Sequence, residues 1–328
     1  MSAGGGNKAV LAALLANTGI AVTKFLAFLL TQSASMLAEA IHSFADAGNQ
    51  LLLLVGGKRS QREATEEHPF GFGRERYIYA FVVSIVLFSL GGVFALYEAY
   101  HKFHELHSGH ADGGLLDSKW KLVPLFVLAA AIAMEALSFR TAIIESNRVR
   151  GDQTWWSFIR RAKAPELPVI LLEDLAALVG LAVAFVSVAL ALMTHNLYFD
   201  VVGSGVIGAL LVAVAVVLAI EVKSLLIGES ASDASIENMR DAIEQTPGVI
   251  RIIHMKTLHI APEELLVAVK VGVSESATAG DIATMIDTAE RLVRVAEPMA
   301  KHMYVEPDIH HDAYQREERP EAPGAPSH

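Results

Sequence analysis

Six long apolar segments are the feature that most constrains the fold of this 328-residue chain. Each has roughly the 20 residues that a helix needs to cross the hydrocarbon core of a bilayer, which is about 30 Å thick. The predicted spans are residues 10–30, 36–55, 78–100, 122–144, 167–193 and 201–220. We therefore expect a six-helix α-helical transmembrane domain over residues 1–228, embedded in a lipid bilayer.

The Lys and Arg residues in the loops predict the orientation of these spans. The loops after spans two and four hold ten of them, whereas the opposite loops hold only Lys102, Lys119 and Lys121. Because cytoplasmic loops carry the excess of positive charge, both termini are predicted to be cytoplasmic. The N-terminal run lacks a convincing cleavage site, so we expect a retained first helix. The expected location is a bacterial inner membrane, with the chain as a multi-pass integral protein.

The last third of the chain differs in composition and periodicity. Residues 229–328 contain 18 Asp and Glu against 9 Lys and Arg, a net charge of −9, whereas residues 1–228 carry only −1 of the total of −10. Helical and strand patterns alternate over 232–246, 249–259, 265–273, 279–296 and 302–306. This αββαβ order predicts a small α+β domain over residues 229–310. The polar, Pro-rich segment 311–328 is predicted to be disordered.

Composition excludes several classes of protein and site. Without cysteine, the chain has no disulfide, no thiolate nucleophile and no Cys-type zinc or iron–sulfur site. A net charge of −10 argues against a nucleic-acid-binding protein, which needs a basic face.

Ionisable residues inside two of the spans are the candidate functional groups, because charge inside a bilayer is costly. In span two, His42 and Asp46 are four residues apart on one helical face, and Glu39 precedes His42 by three. In span five, Glu173 and Asp174 are adjacent in a stretch that has no Lys or Arg to neutralise them. Imidazole and carboxylate groups ligate divalent metals, so these residues predict an intramembrane metal site. The alternative is a proton-sharing polar cluster that only ties the helices together.

This pattern resembles the signature of the cation diffusion facilitator family. The likeness covers nearly the whole chain and is most specific at Lys24, from Ser33 to Asp46, and in His68-Pro-Phe-Gly-Phe-Gly-Arg-Glu75 at the start of span three. The resemblance implies a ferredoxin-like cytoplasmic domain that dimerises. It also implies a homodimeric exporter that exchanges a divalent metal, commonly zinc, for protons as the counter-substrate.

The resemblance also implies a ligand set. The expected metal ligands are His42, Asp46, Glu173 and Asp174. Many family members carry His or Asp four residues before the helix-five Asp, where this chain has Ile170, so we expect Glu173 to substitute. One nitrogen with up to three carboxylates is a harder ligand set than two histidines. Manganese, iron and cobalt therefore stay open beside zinc, the favoured metal.

Two further metal sites of the family are expected to be missing here. In the loop after span two only His68 is present, because Phe72 occupies the later His position. In the C-terminal domain only Asp308 is retained. The other ligand positions carry Ile253, Lys270 and Glu306. A protonated lysine ammonium cannot coordinate a metal.

Other polar and small residues in or near the spans allow simpler interpretations. His101, His104, His107 and His110 recur every third residue. They predict an ordinary exposed helix end, with a metal-collecting surface as the alternative. Intramembrane charges such as Lys24 and Glu135 would pair between helices or reach the interface, and Glu135 is also a candidate proton relay. The glycines at 203, 205 and 208 predict close helix packing.

Three functions remain open from the sequence. The first is a proton-coupled divalent-metal exporter. An intramembrane metalloenzyme would need His-Glu-x-x-His or an equivalent ligand set with a general base, and the sequence contains no such motif, so we do not expect an enzyme. A membrane-linked metal sensor is disfavoured by the loss of the family's cytosolic ligands.

Overall fold

The chain forms two compact units that meet between Ile227 and Gly228. The computed structural model of the protein describes residues 4–31, 34–108 and 122–309, and for residues 4–7, 31, 34–39, 41 and 42 it describes the backbone alone. The segment 311–328, predicted to be disordered, lies outside the described residues.

The first unit, called the membrane unit below, is helical. Its helices are α1 (Gly4–Thr31), α2 (Ala34–Arg59), α3 (Glu75–Val86), α4 (Phe94–His107), α5 (Val123–Arg150), α6 (Trp155–Arg161), α7 (Glu166–Thr194) and α8 (Tyr198–Ile227). A π-helical segment, Leu87–Val93, joins α3 to α4.

Within the described residues, five helical stretches are long and apolar enough to cross a membrane. They are Lys8–Leu30, Glu75–His107, Val123–Arg150, Glu166–Thr194 and Tyr198–Ile227. The remaining predicted span, residues 36–55, lies within the 26-residue helix α2. Polar residues such as Asp46, Asn49 and Gln50 dilute its apolar content, so the sixth span stays a prediction.

The membrane unit is assembled by lateral helix contacts. Helix α1 packs against α2 and α5, α7 against α5 and α8, and α8 against α3 and α4. Large apolar side chains such as Leu15, Phe126 and Met193 remain on the outside. Such a surface suits contact with lipid tails rather than with water.

Small residues allow the closest of these contacts, as predicted for 203 and 208. A Cβ atom at Gly208 would lie 2.9 Å from the backbone nitrogen of Leu96 on α4. A Cβ atom at Gly203 would overlap the Ser187 hydroxyl on α7. At Gly205 the nearest atom would be 4.0 Å away, which is an ordinary contact. Two of the three glycines are therefore required by close helix packing.

The second unit, called the C-terminal unit below, has the predicted αββαβ order. Its elements are α9 (Asp233–Glu244), β1 (Arg251–Ala261), β2 (Glu264–Val273), α10 (Ala279–Ala296) and β3 (His302–Ile309). Strand β2 pairs antiparallel with β1 and parallel with β3. A parallel pair needs a long crossover, which α10 provides. The described sheet has three strands, so the ferredoxin-like fold itself remains a prediction.

Strand β2 supplies the centre of the C-terminal core. Leu265, Val267, Val269 and Val271 are at most 2% exposed. They pack with Met239 and other buried residues of α9 and α10. Alternate residues of β2 therefore face the core of the C-terminal unit.

Candidate metal centre

A cavity of about 80 Å³ lies inside the membrane unit. Helices α1, α2, α5, α7 and α8 and the π-helical segment all contribute to its wall. Its polar lining residues are Asn17, Lys24, Ser43, Asp46, Glu135 and Glu173. Carboxylates from three helices thus border one partly open space between apolar walls.

Glu173 is buried at one end of this lining and is held by amide groups. Its Oε1 accepts a hydrogen bond from Asn49 Nδ2 at 2.9 Å, and its Oε2 accepts one from Gln50 Nε2 at 2.9 Å. The Gln50 Oε1 in turn accepts a hydrogen bond from Asn17 Nδ2 at 3.3 Å. Buried carboxylates need such donors, because desolvation without partners is costly. Helices α1, α2 and α7 are joined by this network.

One carboxylate oxygen of Asp174 accepts a hydrogen bond and the other does not. The residue is fully buried, and its Oδ2 accepts a hydrogen bond from Ser138 Oγ on α5 at 2.7 Å. Its Oδ1 is buried and accepts no hydrogen bond from any described residue. A buried oxygen without a partner calls for an explanation, such as an ion or a proton.

Asp46 and Glu135 complete the group of carboxylates. Glu135 is 1% exposed, and neither of its carboxylate oxygens accepts a hydrogen bond among the described residues. Its charge interacts unfavourably with those of Asp174 and Asp46 and favourably with that of Lys24. Both Lys24 and Glu135 are buried in the cavity wall, which favours pairing between helices over the interface interpretation. Four carboxylates against one ammonium make this region attractive to a cation.

The four predicted ligands differ in what the structure says of them. His42 lies on α2 one turn before Asp46, and its side chain is outside the described residues. Asp46 and Glu173 line the cavity, and the charge of Asp174 interacts with that of Asp46. Among the described side chains, however, no three His, Asp or Glu residues are grouped so that they could hold a metal ion. One reason is that Glu173 faces amide donors. The ligand set therefore stays a prediction.

The sequence interpretation missed the residues that hold these carboxylates. They are Asn17, Asn49, Gln50 and Ser138. A signal for one of them was present, because Asn49 follows Asp46 by three residues and so shares its helical face. Side-chain amides are as unusual in an apolar span as charges are.

The outer histidines lie on an exposed helix end, as the simpler interpretation predicted. Helix α4 runs to His107, and His110 is outside the described residues. His104 stacks on Tyr100, and His107 stacks on Phe103, at ring-centroid distances of 6.4 and 6.0 Å. Each ring therefore has its own aromatic neighbour one turn earlier.

At the positions of the two further family sites, which were expected to be missing, the side chains make other contacts. In the loop after α2, the ring of Phe72 stacks on His68 at 4.7 Å and lies 4.2 Å from the Arg62 guanidinium. In the C-terminal unit, Lys270 Nζ lies 2.8 Å from Asp308 Oδ2 and 3.2 Å from Glu306 Oε1. Hydrogen bonds to these two carboxylates raise the pKa of Lys270 above its usual value. An ammonium thus lies between the two acidic side chains.

Comparison with known proteins places the membrane unit in a family. Residues 10–227 match the family model of the cation efflux transmembrane domain. The chain belongs to the cation diffusion facilitator family. This membership confirms the resemblance seen in the sequence and, with the apolar helices, makes the protein a multi-pass membrane protein.

Three relatives illustrate the range of proteins that this chain resembles. It is 32% identical over 256 residues to the mitochondrial proton-coupled zinc antiporter SLC30A9 of Mus musculus, covering 76% of this chain and 43% of that protein. It is 28% identical over 264 residues to metal tolerance protein C4 of Arabidopsis thaliana, covering 78% and 54%. It is 31% identical over 141 residues to magnetosome protein MamM of Paramagnetospirillum magneticum, covering 41% and 40%. The chain spans about half the length of these relatives or less.

Proposed function

We propose that this protein exports a divalent metal cation, with zinc as the favoured cargo, from the cytosol in exchange for protons. The observation that carries the proposal is the cavity inside the membrane unit bordered by Asp46, Glu135 and Glu173, together with the buried Asp174 that follows Glu173. A permanent excess of buried carboxylates is unfavourable in a bilayer unless cations occupy the space between them. The family of the chain and the name of its mouse relative support a metal and protons as those cations.

In this proposal, His42, Asp46, Glu173 and Asp174 bind the metal. A metal requires ionised carboxylates and a neutral imidazole, so protons and metal compete for the same atoms. That competition couples uptake of one to release of the other. Glu135, whose oxygens face the same space without hydrogen bonds among the described residues, is the candidate proton carrier. Because the ligands are mostly oxygens, manganese, iron and cobalt are tested beside zinc.

The proposal also includes an assembly and an orientation. The C-terminal unit would dimerise the chain, and both termini would face the cytoplasm of a bacterial cell from its inner membrane. The loop charges support this orientation, since the connection between α2 and α3 and the one between α5 and α7 carry most of the Lys and Arg. No enzymatic activity is proposed.

Reconstitution into vesicles tests the function directly. Purified protein in sealed liposomes should move zinc when a pH gradient is imposed, and zinc flux should in turn drive proton movement. Uptake of manganese, iron and cobalt measured in the same vesicles ranks the metals. Absence of flux for all four metals in vesicles that hold their pH gradient would contradict the proposal.

A further inference from the structure

The cavity lies near the middle of the membrane unit along the helix axes, some distance from the predicted cytoplasmic helix ends. On α7 its lining begins at Glu173 and continues to Ala184, away from the start of the helix at Glu166. Eleven residues of helix correspond to about 16 Å. On α8 the lining residues are Ile207 and Leu211, which lie in the half that follows the α7–α8 connection. The loop charges assign that connection to the non-cytoplasmic side.

Packing closes the part of the membrane unit between the cavity and the predicted cytoplasmic helix ends. Buried apolar side chains from α1, α2, α3, α6, α7 and α8 form one cluster that includes Ala13, Leu53 and Ile170 in this part. The same cluster borders the cavity at Leu87, Ala176 and Leu211. At the start of both helices, Arg76 of α3 pairs with Glu166 of α7, and the distance between Arg76 Nη2 and Glu166 Oε2 is 2.9 Å. The ends of α3 and α7 are therefore tied together on the predicted cytoplasmic side.

The amide network lies where the cavity meets this packed region. Asn17, Asn49 and Gln50 are 5%, 1% and 0% exposed. Asn49 and Gln50 donate hydrogen bonds to Glu173, the first residue of the cavity lining on α7, and Asn17 donates one to Gln50. We propose that this Asn17–Gln50–Glu173–Asn49 network closes the cavity toward the cytoplasm, with Asn49 and Gln50 as positioning residues that hold the Glu173 carboxylate. The inference rests on the proposed function for its role in transport, and on the geometry alone for the closure.

The network gives a physical reason for coupling between cargo and conformation. Each Glu173 oxygen accepts a hydrogen bond from an amide N–H group, and in this proposal Glu173 exchanges at least one of these donors for the metal. That exchange separates α7 from α2 at the point where the two helices are joined. Metal arriving from the cytoplasm thus competes with the contacts that keep the cytoplasmic side closed.

Thiol accessibility tests the closure without any metal. The chain has no cysteine, so a single introduced cysteine is the only thiol in the protein. Ala13→Cys places a thiol in the packed cluster, and Ala184→Cys places one in the cavity wall. In vesicles of known orientation, a membrane-impermeant thiol reagent should label Ala184→Cys only from the non-cytoplasmic face. Ala13→Cys should be protected from both faces.

The network variants are then combined with Ala13→Cys. Gln50→Leu should raise the labelling rate from the cytoplasmic face about tenfold, which is the order expected for loss of a hydrogen bond to a charged group. Asn17→Leu, which disturbs only the outer link, should give a smaller rise in the same direction. Ser146→Ala, a change of a buried hydroxyl on α5 away from the network, should give none. Unchanged labelling in folded Gln50→Leu and Asn17→Leu, or rapid cytoplasmic labelling of Ala13→Cys by itself, would overturn the closure.

Transport in the same variants separates this inference from the proposed function. Gln50→Leu should lower the maximal rate of metal transport about tenfold without raising the half-saturating metal concentration. A role in folding alone would lower the amount of active protein and leave the labelling rate unchanged. If the labelling results hold while the wild type moves none of the metals, the closure stands and the transport proposal fails. An increase in the half-saturating concentration would overturn the positioning role.

Discussion

The two units of this protein differ in whether their ionisable side chains have partners. In the membrane unit, both carboxylate oxygens of the buried Glu135 and one of the buried Asp174 accept no hydrogen bond from the described residues. In the C-terminal unit, the partly exposed Lys270 pairs with Glu306 and Asp308 on the neighbouring strand. Its core is built from apolar residues such as those of β2.

This difference shows where the chemistry lies. Buried carboxylates without partners lower stability, and a fold that keeps them needs a cation to complete them. Paired charges on a strand need nothing further. This difference supports the proposal of a metal site in the membrane unit and of a scaffold role for the C-terminal unit. The variants below test that division, beginning with the largest expected effect.

Removing a buried carboxylate charge should abolish transport. We expect Asp174→Asn and Asp46→Asn each to lower zinc flux at least a hundredfold in vesicles, because each removes a proposed charged ligand and no spare one lies on its helix. Both should still fold, since Asn retains nearly the same shape. Asp152→Asn, at an exposed position, is the matched control. Near-normal flux in either Asp46→Asn or Asp174→Asn would remove that residue from the site.

Glu173→Gln should impair transport more than Glu135→Gln. The first change removes a proposed ligand and places an amide N–H group against the donors of Asn49 and Gln50. The second removes only a charge that makes no hydrogen bond among the described residues. We expect a loss of tenfold or more for Glu173→Gln and of a few fold for Glu135→Gln, measured in matched vesicles. The reverse ranking would indicate that Glu135 on α5 contributes more to the site than Glu173 does.

A methyl group at Gly208 should destabilise the membrane unit. The added Cβ atom would lie 2.9 Å from a backbone atom of α4, which cannot move as a side chain does. Overpacking of this kind costs about 1–3 kcal/mol, measured as the free energy of unfolding in detergent. Gly205→Ala is the control, because its Cβ atom meets only an ordinary contact. Equal stability of Gly208→Ala and Gly205→Ala would mean that α4 and α8 are not in such close contact.

Zinc should leave the melting temperature of the C-terminal unit unchanged. Residues 229–310 expressed alone are expected to fold, and Lys270 occupies the space between Glu306 and Asp308. Lys270→Asp should create a cluster of three carboxylates that melts a few degrees lower without metal and recovers when zinc or manganese is added. Scanning calorimetry measures both proteins. A saturable rise in the wild-type melting temperature with zinc would show instead that this unit is a metal sensor.

Much of this architecture was predictable because local patterns decide it. Apolar length marked the spans, and the alternation in residues 265–273 marked β2 and its buried face. Asp46, Asn49 and Gln50 reduce the apolar content of span two, so its crossing of the membrane stays a prediction. The glycines at 203 and 208 could be assigned to packing, although the sequence did not show which helices they contact.

The sequence by itself determined the helical segments, the αββαβ order and the positions of the ionisable residues. Only the tertiary structure decided which groups meet, because partners such as Asn49 and Glu173 are more than a hundred residues apart and their helices could pack in many ways. It turned Glu173 toward amides, buried Lys24 and Glu135 in one cavity wall, and placed the packed core on one side of that cavity. Desolvation is the physical reason, since a polar or charged group removed from water needs a partner, and Glu173 finds its partners on another helix.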